Sequence, residues 1–201
     1  MDCSKVGKLI FHLRKEQGLT QNNIADALNI SNKTVSKWER GLGCPDVSLL
    51  AGLSGVLGAD IQKMLEGELD PNKSDSGNIN RIRFYVCPTC GNVLTSSNKA
   101  SISCCGRKQS PLVPKELLEH HQMTVEEIDI YNYISIDHEM KKSHYIQFIA
   151  YVGTDTVLLK RLYPEQGANI HIPAMRRDGK LYGYCNRHGL WVQPVFLKKG
   201  E

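Results

Sequence analysis

Cysteine and histidine are concentrated in one stretch of this 201-residue chain. Of its seven cysteines and seven histidines, eleven lie between residues 87 and 188. The odd number of cysteines, two of them adjacent, argues against the disulfide framework of a small secreted protein. The chain shows neither a signal-peptide pattern nor an apolar run of about 18 residues. We therefore expect a cytoplasmic protein without a membrane span that uses its thiols to bind metals.

The charge of the chain is a weak guide to its partners. The formal net charge is +4, but residues 1–70 carry 8 basic and 9 acidic side chains, whereas residues 71–201 carry 17 and 12. The positive excess lies in the C-terminal two thirds, so it gives no support to DNA binding by the N-terminal part. Charged residues make up 23% and hydrophobic residues 41% of the chain, which excludes global disorder.

The first 67 residues have helical periodicity. Apolar side chains at positions 6, 9, 10 and 13 have the spacing of one helix face. Four more helices are predicted to begin after the N-cap residues Thr20, Ser31, Asp46 and Asp60, and Gly41 ends the third. The sequence thus predicts a domain of five short helices over residues 1–67. Residues 68–80 contain Pro, Gly and Ser and almost no apolar side chain, which is typical of a linker.

From residue 81 onward the apolar pattern becomes alternating. Residues 145–152 place every second side chain, from Ile146 to Val152, on one side, as in a strand. Similar patterns predict strands over 130–136, 157–162, 168–172, 181–185 and 191–197. Turn signals lie at residues 153–155 and 177–180. Six short strands with such turns predict an antiparallel sandwich.

Residues 19–41 are predicted to form two helices joined by a short turn, the second with exposed polar residues. The stretch Ser-Asn-Lys-Thr-Val-Ser-Lys-Trp-Glu-Arg-Gly at 31–41 resembles the phage-repressor/Cro-like (XRE) helix-turn-helix family, and the resemblance covers residues 5–67. It implies binding to double-stranded DNA. The residues expected to contact DNA are Gln21, Ser31, Asn32, Lys33, Ser36, Lys37 and Arg40.

The chemistry of these side chains agrees with that resemblance. Asn32 offers a bidentate match to adenine, and Lys33 and Lys37 can donate to guanine. Gln21 and Arg40 are expected to contact phosphates, which set position and not sequence. The alternative is a helical protein-interaction module with a solvated polar face. Such DNA-binding modules usually act as homodimers on paired half-sites, with the dimer surface on the fifth helix or in the C-terminal part.

Four cysteines form a compact pattern at residues 87–106. The pattern is Cys87-x-x-Cys90-Gly, followed by Cys104-Cys105-Gly. Four thiolates suit a tetrahedral site for iron or zinc, and the glycines permit turns that aim backbone N–H groups at sulfur. The adjacent pair departs from a zinc ribbon and resembles the desulforedoxin module. That resemblance implies iron in a small metal knuckle over residues 81–114, with structural zinc as the alternative.

Three further clusters lie in the remaining sequence. They are Glu119-His-His121, His138-Glu-Met-Lys-Lys-Ser-His144-Tyr-Ile, and Cys185-Asn-Arg-His188-Gly-Leu-Trp191. His-x-Met-x-x-x-His-Tyr-Ile and Cys-Asn-x-His-Gly-x-Trp resemble signature stretches of the desulfoferrodoxin/superoxide reductase family. With the four-cysteine module in front, residues 81–198 resemble the two-centre form of that family, which implies an immunoglobulin-like β-sandwich iron domain over residues 115–201.

The resemblance implies a five-coordinate iron in this domain. Its ligands would be His121, His138, His144, Cys185 and His188. Iron(II) with an open sixth position would reduce superoxide to hydrogen peroxide, and Glu119 fits the glutamate that occupies this position after oxidation. Backbone N–H groups around Arg187 and Gly189 would hydrogen-bond the thiolate sulfur and tune its donation.

Two departures from the family pattern bear on activity. The motif Glu-Lys-His reads Glu119-His120-His121, so His120 stands where the family has a lysine that attracts superoxide and supports proton delivery. A histidine with a pKa near ~6.5 is mostly neutral at pH 7, so this attraction should weaken. His-Pro-Met has become His138-Glu139-Met140. Both departures favour sensing over fast turnover.

The assignments of the other histidines and cysteines follow from their positions. His120 is a rival for the first ligand, but His121 keeps the Glu-x-His offset of the family. His171 follows the second and third ligands and is interpreted as structural. Cys3 and Cys44 have no partner spacing, so we expect buried or idle thiols, and His12 is expected on a helix surface.

The sequence supports three functional hypotheses for this multidomain α + β chain. The first is a transcription regulator whose iron domain senses superoxide, oxygen or iron supply. The second is a superoxide reductase, an oxidoreductase acting on superoxide, with an appended DNA-binding domain. The third keeps both metals structural and makes the C-terminal part an assembly module. The absence of the family lysine favours the first hypothesis.

Overall fold

The computed structural model describes residues 1–74, 77, 79–116 and 119–196, and for Asn80 and Glu119 it describes the backbone only. The chain divides into two compact units, Met1–Asn72 and Lys73–Glu201. Among the described residues, no helix is both long enough and apolar enough to cross a membrane.

The first unit contains the five predicted helices. They are α1 (Cys3–Glu16), α2 (Gln21–Leu28), α3 (Asn32–Glu39), α4 (Val47–Leu57) and α5 (Ile61–Glu66). Each of the four predicted N-cap side chains accepts a hydrogen bond from the first turn of its helix. The core is formed by apolar side chains from all five helices, among them Val6, Ile24, Val35, Leu53 and Met64.

Cys3 and Cys44 form a disulfide between the first turn of α1 and the loop that joins α3 to α4. The expectation of buried or idle thiols is therefore wrong. The residues are 41 positions apart, but their Cα atoms lie 4.9 Å from each other, a distance that a disulfide can span. This proximity arises from the packing of α1 against α3, which the spacing of the cysteines in the sequence does not reveal.

The described residues of the second unit form β-strands and two short 3-10 helices, Ile79–Arg81 and Glu119–His121. Its strands are β1 (Arg83–Val86), β2 (Val93–Ser96), β3 (Ile102–Cys104), β4 (Arg107–Gln109), β5 (Met123–Ile128), β6 (Tyr131–Ile136), β7 (Ile146–Val152), β8 (Val157–Arg161), β9 (Asn169–Pro173), β10 (Gly179–Cys185) and β11 (Gly189–Val195). A four-stranded sheet, β11-β10-β7-β8, and a three-stranded sheet, β5-β6-β9, share one apolar core. The predicted fold class, a helical domain followed by an antiparallel sandwich, is confirmed.

The six strands predicted from alternation correspond to β6–β11, with small differences at their ends. Residue Leu197, the end of the last predicted strand, lies outside the described residues. The strand β5 was not predicted, because Glu126 and Glu127 interrupt its apolar alternation. These glutamates are exposed on the edge of the three-stranded sheet, where charged side chains remain in water.

The central strand β7 is buried on both faces, although its alternation predicted only one buried face. Ile149 and Tyr151 belong to the core between the two sheets. Phe148 and Ala150 point the other way and pack against Phe84 of β1, with the rings of Phe84 and Phe148 5.3 Å apart. The cysteine-bearing segment therefore covers the outer face of the four-stranded sheet.

Candidate metal centres and recognition helix

Two small hairpins, β1–β2 and β3–β4, bring the four clustered cysteines together. The sulfur atoms of Cys87, Cys90, Cys104 and Cys105 all lie within 4.8 Å of one another. Gly91 follows the first pair with a φ of 67°, and Cys105 itself has a φ of 52°. These left-handed residues turn the chain sharply enough for both cysteine pairs to face one point. The group offers four sulfur donors, which fits iron or zinc.

The thiols of this group differ in acidity. Hydrogen bonds from the backbone N–H groups of Cys90 and Thr89 lower the pKa of Cys87 to about 6, although its burial acts in the opposite direction. The neighbouring sulfurs of Cys90, Cys87 and Cys104 raise the pKa of Cys105 to about 12. The Cys87 thiol thus ionises readily, whereas the Cys105 thiol, which is crowded by the other sulfurs, stays protonated to a higher pH. A bound cation would offset the repulsion and favour ionisation of all four.

A second cluster is assembled from three separate segments. His121 ends a 3-10 helix, His138 lies between β6 and β7, and Cys185 and His188 flank the turn between β10 and β11. One potential ligand atom from each of these four residues lies within 4.8 Å of the others. His144 joins them, since its Nε2 is 3.2 Å from Nδ1 of His188. The fold brings together all five residues that the family resemblance assigns to iron.

Buried imidazole nitrogens without partners mark this cluster as a metal site. Both ring nitrogens of His121 and the Nε2 of His138 are buried without a hydrogen-bond partner among the described residues. Such burial is unfavourable unless a ligand satisfies these atoms. Burial and, to a smaller extent, the neighbouring histidines lower the pKa of His121 to about 4. The imidazole is therefore neutral, as metal binding requires, and the donor set of four imidazoles and one thiolate fits iron.

Glu139 orients two of the histidines. Its backbone carbonyl is hydrogen-bonded to Nδ1 of His138, and its carboxylate to Nδ1 of His144. Lys141 pairs with the same carboxylate at 2.7 Å. Hydrogen bonds from Lys141 and His144 lower the pKa of Glu139 to about 2. With both Nδ1 atoms engaged, the Nε2 atoms of the two imidazoles are the ones left for a metal.

Hydrogen bonds also fix the Cys185 loop. The backbone N–H of Arg187 lies 3.4 Å from the Cys185 sulfur. The side chain of Asn186 accepts a hydrogen bond from the N–H of Tyr145 at 2.9 Å and donates one to the carbonyl of Ser143 at 3.2 Å. Asn186 therefore joins the cysteine loop to the segment that carries His144. Its place within the Cys-Asn-x-His motif was the only sequence signal for this role.

The two proposed catalytic residues directly precede His121 in the sequence. Glu119 begins the 3-10 helix, and its side chain lies outside the described part of the chain. His120 is exposed and lines the cavity over the histidine cluster. His171 lies on β9, where its exposed ring is 4.9 Å from that of Tyr133. It belongs to neither group of potential ligands.

Lys115 lies beside the histidine cluster and was missed by sequence reasoning. Its N–H donates to the carbonyl of Leu190 at 2.8 Å. Its Cε lies 3.3 Å from the point that a Cβ on Gly189 would occupy, so the side chain crosses this glycine. Burial, His144 and then the charges of Arg187 and Lys115 lower the pKa of His188. Lys115 is remote from His188 in sequence, and only folding reveals their proximity.

The helix α3 presents the polar face expected of a recognition helix. Ser31, Asn32, Lys33, Lys37 and Arg40 are exposed, and Ser36 is half-buried. Val35 and Trp38 lie in the core, as predicted. The amide of Gln21 donates to the Glu39 carboxylate at 2.7 Å, so the side chain of Gln21 is engaged within the domain.

A buried ion pair holds α3 against α1. Nη2 of Arg14 donates to Oε2 of Glu39 at 2.9 Å, and Nη1 donates to the carbonyl of Leu19, also at 2.9 Å. The two charged side chains are only 7% and 5% exposed. With Gln21 as a further donor, the carboxylate is satisfied by three side-chain hydrogen bonds. This network fixes the orientation of the recognition helix.

Comparison with known proteins matches the two units separately. A helix-turn-helix family model matches residues 10–64, and a desulfoferrodoxin model matches residues 105–194. A desulfoferrodoxin homolog from Methanothermobacter thermautotrophicus is 30% identical over 118 residues, covering 54% of this chain and 95% of that protein. A desulfoferrodoxin homolog from Archaeoglobus fulgidus is 28% identical over 118 residues, covering 55% of this chain and 94% of that protein.

The HTH-type transcriptional activator BcrR from Enterococcus faecalis is 38% identical over 56 residues, which are 28% of either chain. Among solved structures, the superoxide reductase from Treponema pallidum aligns with a TM-score of 0.49 and 18% identity, covering 56% of this chain and 96% of that one. Both resemblances predicted from the motifs are confirmed by the family matches. The chain belongs to the desulfoferrodoxin family and carries a helix-turn-helix domain at its N-terminus.

Proposed function

We propose that the chain is a DNA-binding transcription regulator whose C-terminal unit holds iron and responds to superoxide or to a change of redox state. One observation carries this proposal. The same chain combines a helix with exposed Asn32, Lys33 and Lys37 and a histidine cluster with buried, unpartnered nitrogens. A regulator needs an output and an input, and these two features supply them.

The proposed output is recognition of double-stranded DNA by α3. Asn32, Lys33, Ser36 and Lys37 would meet base edges in the major groove. Ser31 and Arg40, at the two ends of the helix, are placed to contact the DNA backbone. Because the side chain of Gln21 is bonded to Glu39, its backbone N–H at the start of α2 is the group we assign to a phosphate.

The proposed input is the cluster of His121, His138, His144, Cys185 and His188. These residues would hold iron, which would supply one-electron chemistry able to convert superoxide and two protons into hydrogen peroxide. The N–H of Arg187 withdraws electron density from the Cys185 sulfur through its hydrogen bond. The exposed His120 is the group we assign to proton delivery. Glu119 is assigned to close the site after oxidation.

Positive charge near the cluster supports the attraction of superoxide. After burial and His144, the charges of Arg187 and Lys115 are the further causes that lower the pKa of His188. They lie on the side of the cluster where the cysteine loop turns into β11. We infer that these residues compensate in part for the lysine that His120 replaces in the family motif.

The proposed regulator is a homodimer that reads two half-sites. Ile61 and Leu65 lie one turn apart on α5 and are 39% and 36% exposed, and Leu69 beyond the helix is 48% exposed. Apolar side chains at this spacing form a stripe that a second copy of the domain can cover. We therefore assign the dimer contact to α5.

The test begins with anaerobic purification of the full chain, followed by metal analysis and visible spectroscopy. Superoxide is then added in steps while the spectrum is recorded. A duplex selected from a random pool by the protein serves as the DNA probe, and its affinity is measured in both redox states. The proposal expects iron that reacts with superoxide and an affinity that changes with oxidation. Iron that does not react, or its absence, would contradict the redox proposal.

The second candidate function is superoxide reduction, with the DNA-binding domain serving localisation. It is favoured by the completeness of the cluster, since every family ligand position is filled and brought together. Under this proposal, repeated turnover with an electron donor is fast and the DNA affinity is equal in both redox states. Slow turnover combined with an altered affinity would favour the regulator.

A further inference from the structure

We propose that Cys3 and Cys44 form a second redox site, a reversible disulfide that a hydroperoxide closes and that stiffens the segment after the recognition helix. This site goes beyond the proposed function, because it lies in the helical unit and requires no iron. It would give the DNA-binding domain its own response to oxidants.

The two cysteines are held close by contacts that do not depend on the bond between them. A Cβ on Gly7 of α1 would lie 2.0 Å from the carbonyl oxygen of Trp38, so α1 and α3 are in direct backbone contact. Val6 and Trp38 are buried in the same core. Reduction therefore leaves the thiols near each other, and the disulfide can form again without refolding.

Both sulfur-bearing residues are accessible to a small oxidant. Cys3 and Cys44 are each partly exposed. Cys3 is the first residue of the 14-residue helix α1, whose dipole favours the thiolate that attacks a peroxide, while the N–H groups of Ser4 and Lys5 are bonded to the Asp2 side chain. Cys44 lies in the loop that leads to the N-cap of α4.

The bond constrains the segment that follows α3. Gly41, with a φ of 71°, lies against Ser4, whose Cα is 3.0 Å from the position of a glycine Cβ. Beyond this contact, Leu42 is 66% exposed, and a Cβ placed on Gly43 would have no atom within 4 Å apart from those of Gly43 and its two chain neighbours. The disulfide anchors this open stretch to α1. We infer that its reduction frees the stretch next to Lys37 and Arg40.

The reaction balances with a hydroperoxide as the oxidant. One thiolate attacks the peroxide oxygen, the O–O bond breaks, and a sulfenic acid forms with release of water or alcohol. The second thiol displaces water from the sulfenic acid, and the S–S bond forms. With hydrogen peroxide, two thiols lose two electrons and two protons, and one peroxide becomes two water molecules. A cellular thiol reverses the step by disulfide exchange.

The location of the pair in a DNA-binding domain favours a reversible bond. Cellular DNA lies in compartments in which small thiols keep cysteines reduced. Disulfides in such compartments are usually transient and redox-sensing. A bond formed only when peroxide accumulates would therefore report on the same oxidants that superoxide reduction produces.

The first experiment maps the bond in the iron-loaded full chain. The protein is reduced with dithiothreitol, treated with hydrogen peroxide, alkylated and digested with trypsin. Cleavage after Lys5, Arg40 and Lys63 places Cys3 in a peptide ending at residue 5 and Cys44 in the peptide 41–63. We expect these peptides to be joined after peroxide and separate after dithiothreitol or glutathione. Free thiols after peroxide, or a bond that glutathione leaves intact, would overturn the proposal.

The second experiment measures the effect of the bond on the helical unit. All five described α-helices lie in this unit, so ellipticity at 222 nm follows its unfolding. The oxidised protein should melt about 10 °C above the reduced protein. Cys3→Ser, Cys44→Ser and the double variant should each melt like the reduced wild type. Equal melting of oxidised and reduced wild type would contradict the inferred stiffening.

DNA affinity provides a separate readout. The oxidised wild type should bind its selected duplex several-fold more tightly than the reduced protein, because the segment after α3 is already ordered. The double variant keeps the iron cluster but lacks the thiol pair. A redox effect that persists in this variant belongs to the iron site, whereas one that disappears belongs to Cys3 and Cys44. An effect retained in full by the double variant would refute a role of the bond in DNA binding.

Discussion

The ion pair of the helical unit and the histidine cluster of the β unit are both buried, but their polar atoms differ in hydrogen bonding. In the helical unit, Arg14 and Glu39 are buried but bonded to each other, to the carbonyl of Leu19 and to Gln21. In the β unit, His121 is 3% exposed and has no hydrogen-bond partner among the described residues. Both arrangements remove polar atoms from water, but only the first replaces the lost hydrogen bonds.

This difference separates a structural from a ligand-binding role. A buried polar group that is fully bonded stabilises one arrangement of the chain, whereas several unbonded imidazole nitrogens that converge on one cavity are unfavourable until a ligand satisfies them. The Arg14–Glu39 network therefore belongs to the architecture of the recognition domain. The histidine cluster is a site whose stability should depend on its metal.

The largest expected effect is loss of iron from the β unit. We expect His121→Ala to remove the iron and its visible absorption almost completely. The variant keeps only four of the five ligands, and the loss of the imidazole opens the cavity. The matched control is His171→Ala, which removes an exposed histidine from the same unit but from neither ligand group. It should retain full iron content. Metal analysis and visible spectra of both variants provide the measurement.

The next effect concerns the ion pair of the helical unit. Glu39→Gln leaves the buried Arg14 charge without its partner, which should destabilise this unit by about 3 kcal/mol. The control is Glu66→Gln, which breaks the exposed pair with Lys63 and should change stability within experimental error. Urea unfolding followed at 222 nm compares the variants. Equal losses would show that burial does not distinguish the two pairs.

Acid should act on the same pair. Burial raises the pKa of Glu39, but hydrogen bonds from Arg14 and Gln21 and the charge of Arg14 outweigh it, so the pKa lies below its ordinary value. A carboxylate with a lowered pKa contributes stability above its unfolded pKa, near ~4.3, and loses this contribution as pH falls through its folded pKa. The stability difference between wild type and Glu39→Gln should therefore shrink as the pH falls below ~4.3.

The helical unit and most of the sandwich could be predicted from local patterns. N-caps such as Thr20 and Ser31 mark helix starts, and alternation marks the strands of the core. The strand β5 was missed because an exposed edge tolerates Glu126 and Glu127 where the pattern requires apolar residues. The disulfide was missed because α1–α3 packing, and not sequence spacing, brings Cys3 and Cys44 together.

The two metal groups differ in how far the residues alone could indicate them. The four cysteines lie in two short motifs, so their spacing by itself indicates a site. The histidine cluster is drawn from separate segments, and it was the resemblance to a family that united them. Neighbours outside the motifs, such as Lys115, carry no sequence signal. Only the folded chain shows that they lie beside the cluster.

A smaller effect is expected when the orientation of a ligand is disturbed while all ligands remain. Glu139→Gln weakens the hydrogen bond to Nδ1 of His144, so iron affinity should fall by about 10-fold to 100-fold. Glu165→Gln is the control, because Glu165 is an exposed carboxylate that forms an ion pair with Lys142. Competition with a chelator gives both affinities. Unchanged affinity in Glu139→Gln would mean that this carboxylate does not orient the imidazole.

The smallest effect concerns charge beside the cluster, where no ligand or hydrogen bond to a ligand is altered. Lys115→Gln should lower the second-order rate of the iron-loaded protein with superoxide by about threefold and flatten its dependence on salt. Lys160→Gln removes an exposed lysine from β8 and should leave both unchanged. Iron content should be normal in either variant, because neither residue belongs to a ligand group. If the rate falls equally in both variants, the effect is due to the net charge of the protein and not to the position of Lys115. A fall confined to Lys115→Gln would show that the fold restores, from a distant segment, part of the charge absent from the Glu119-His120-His121 motif.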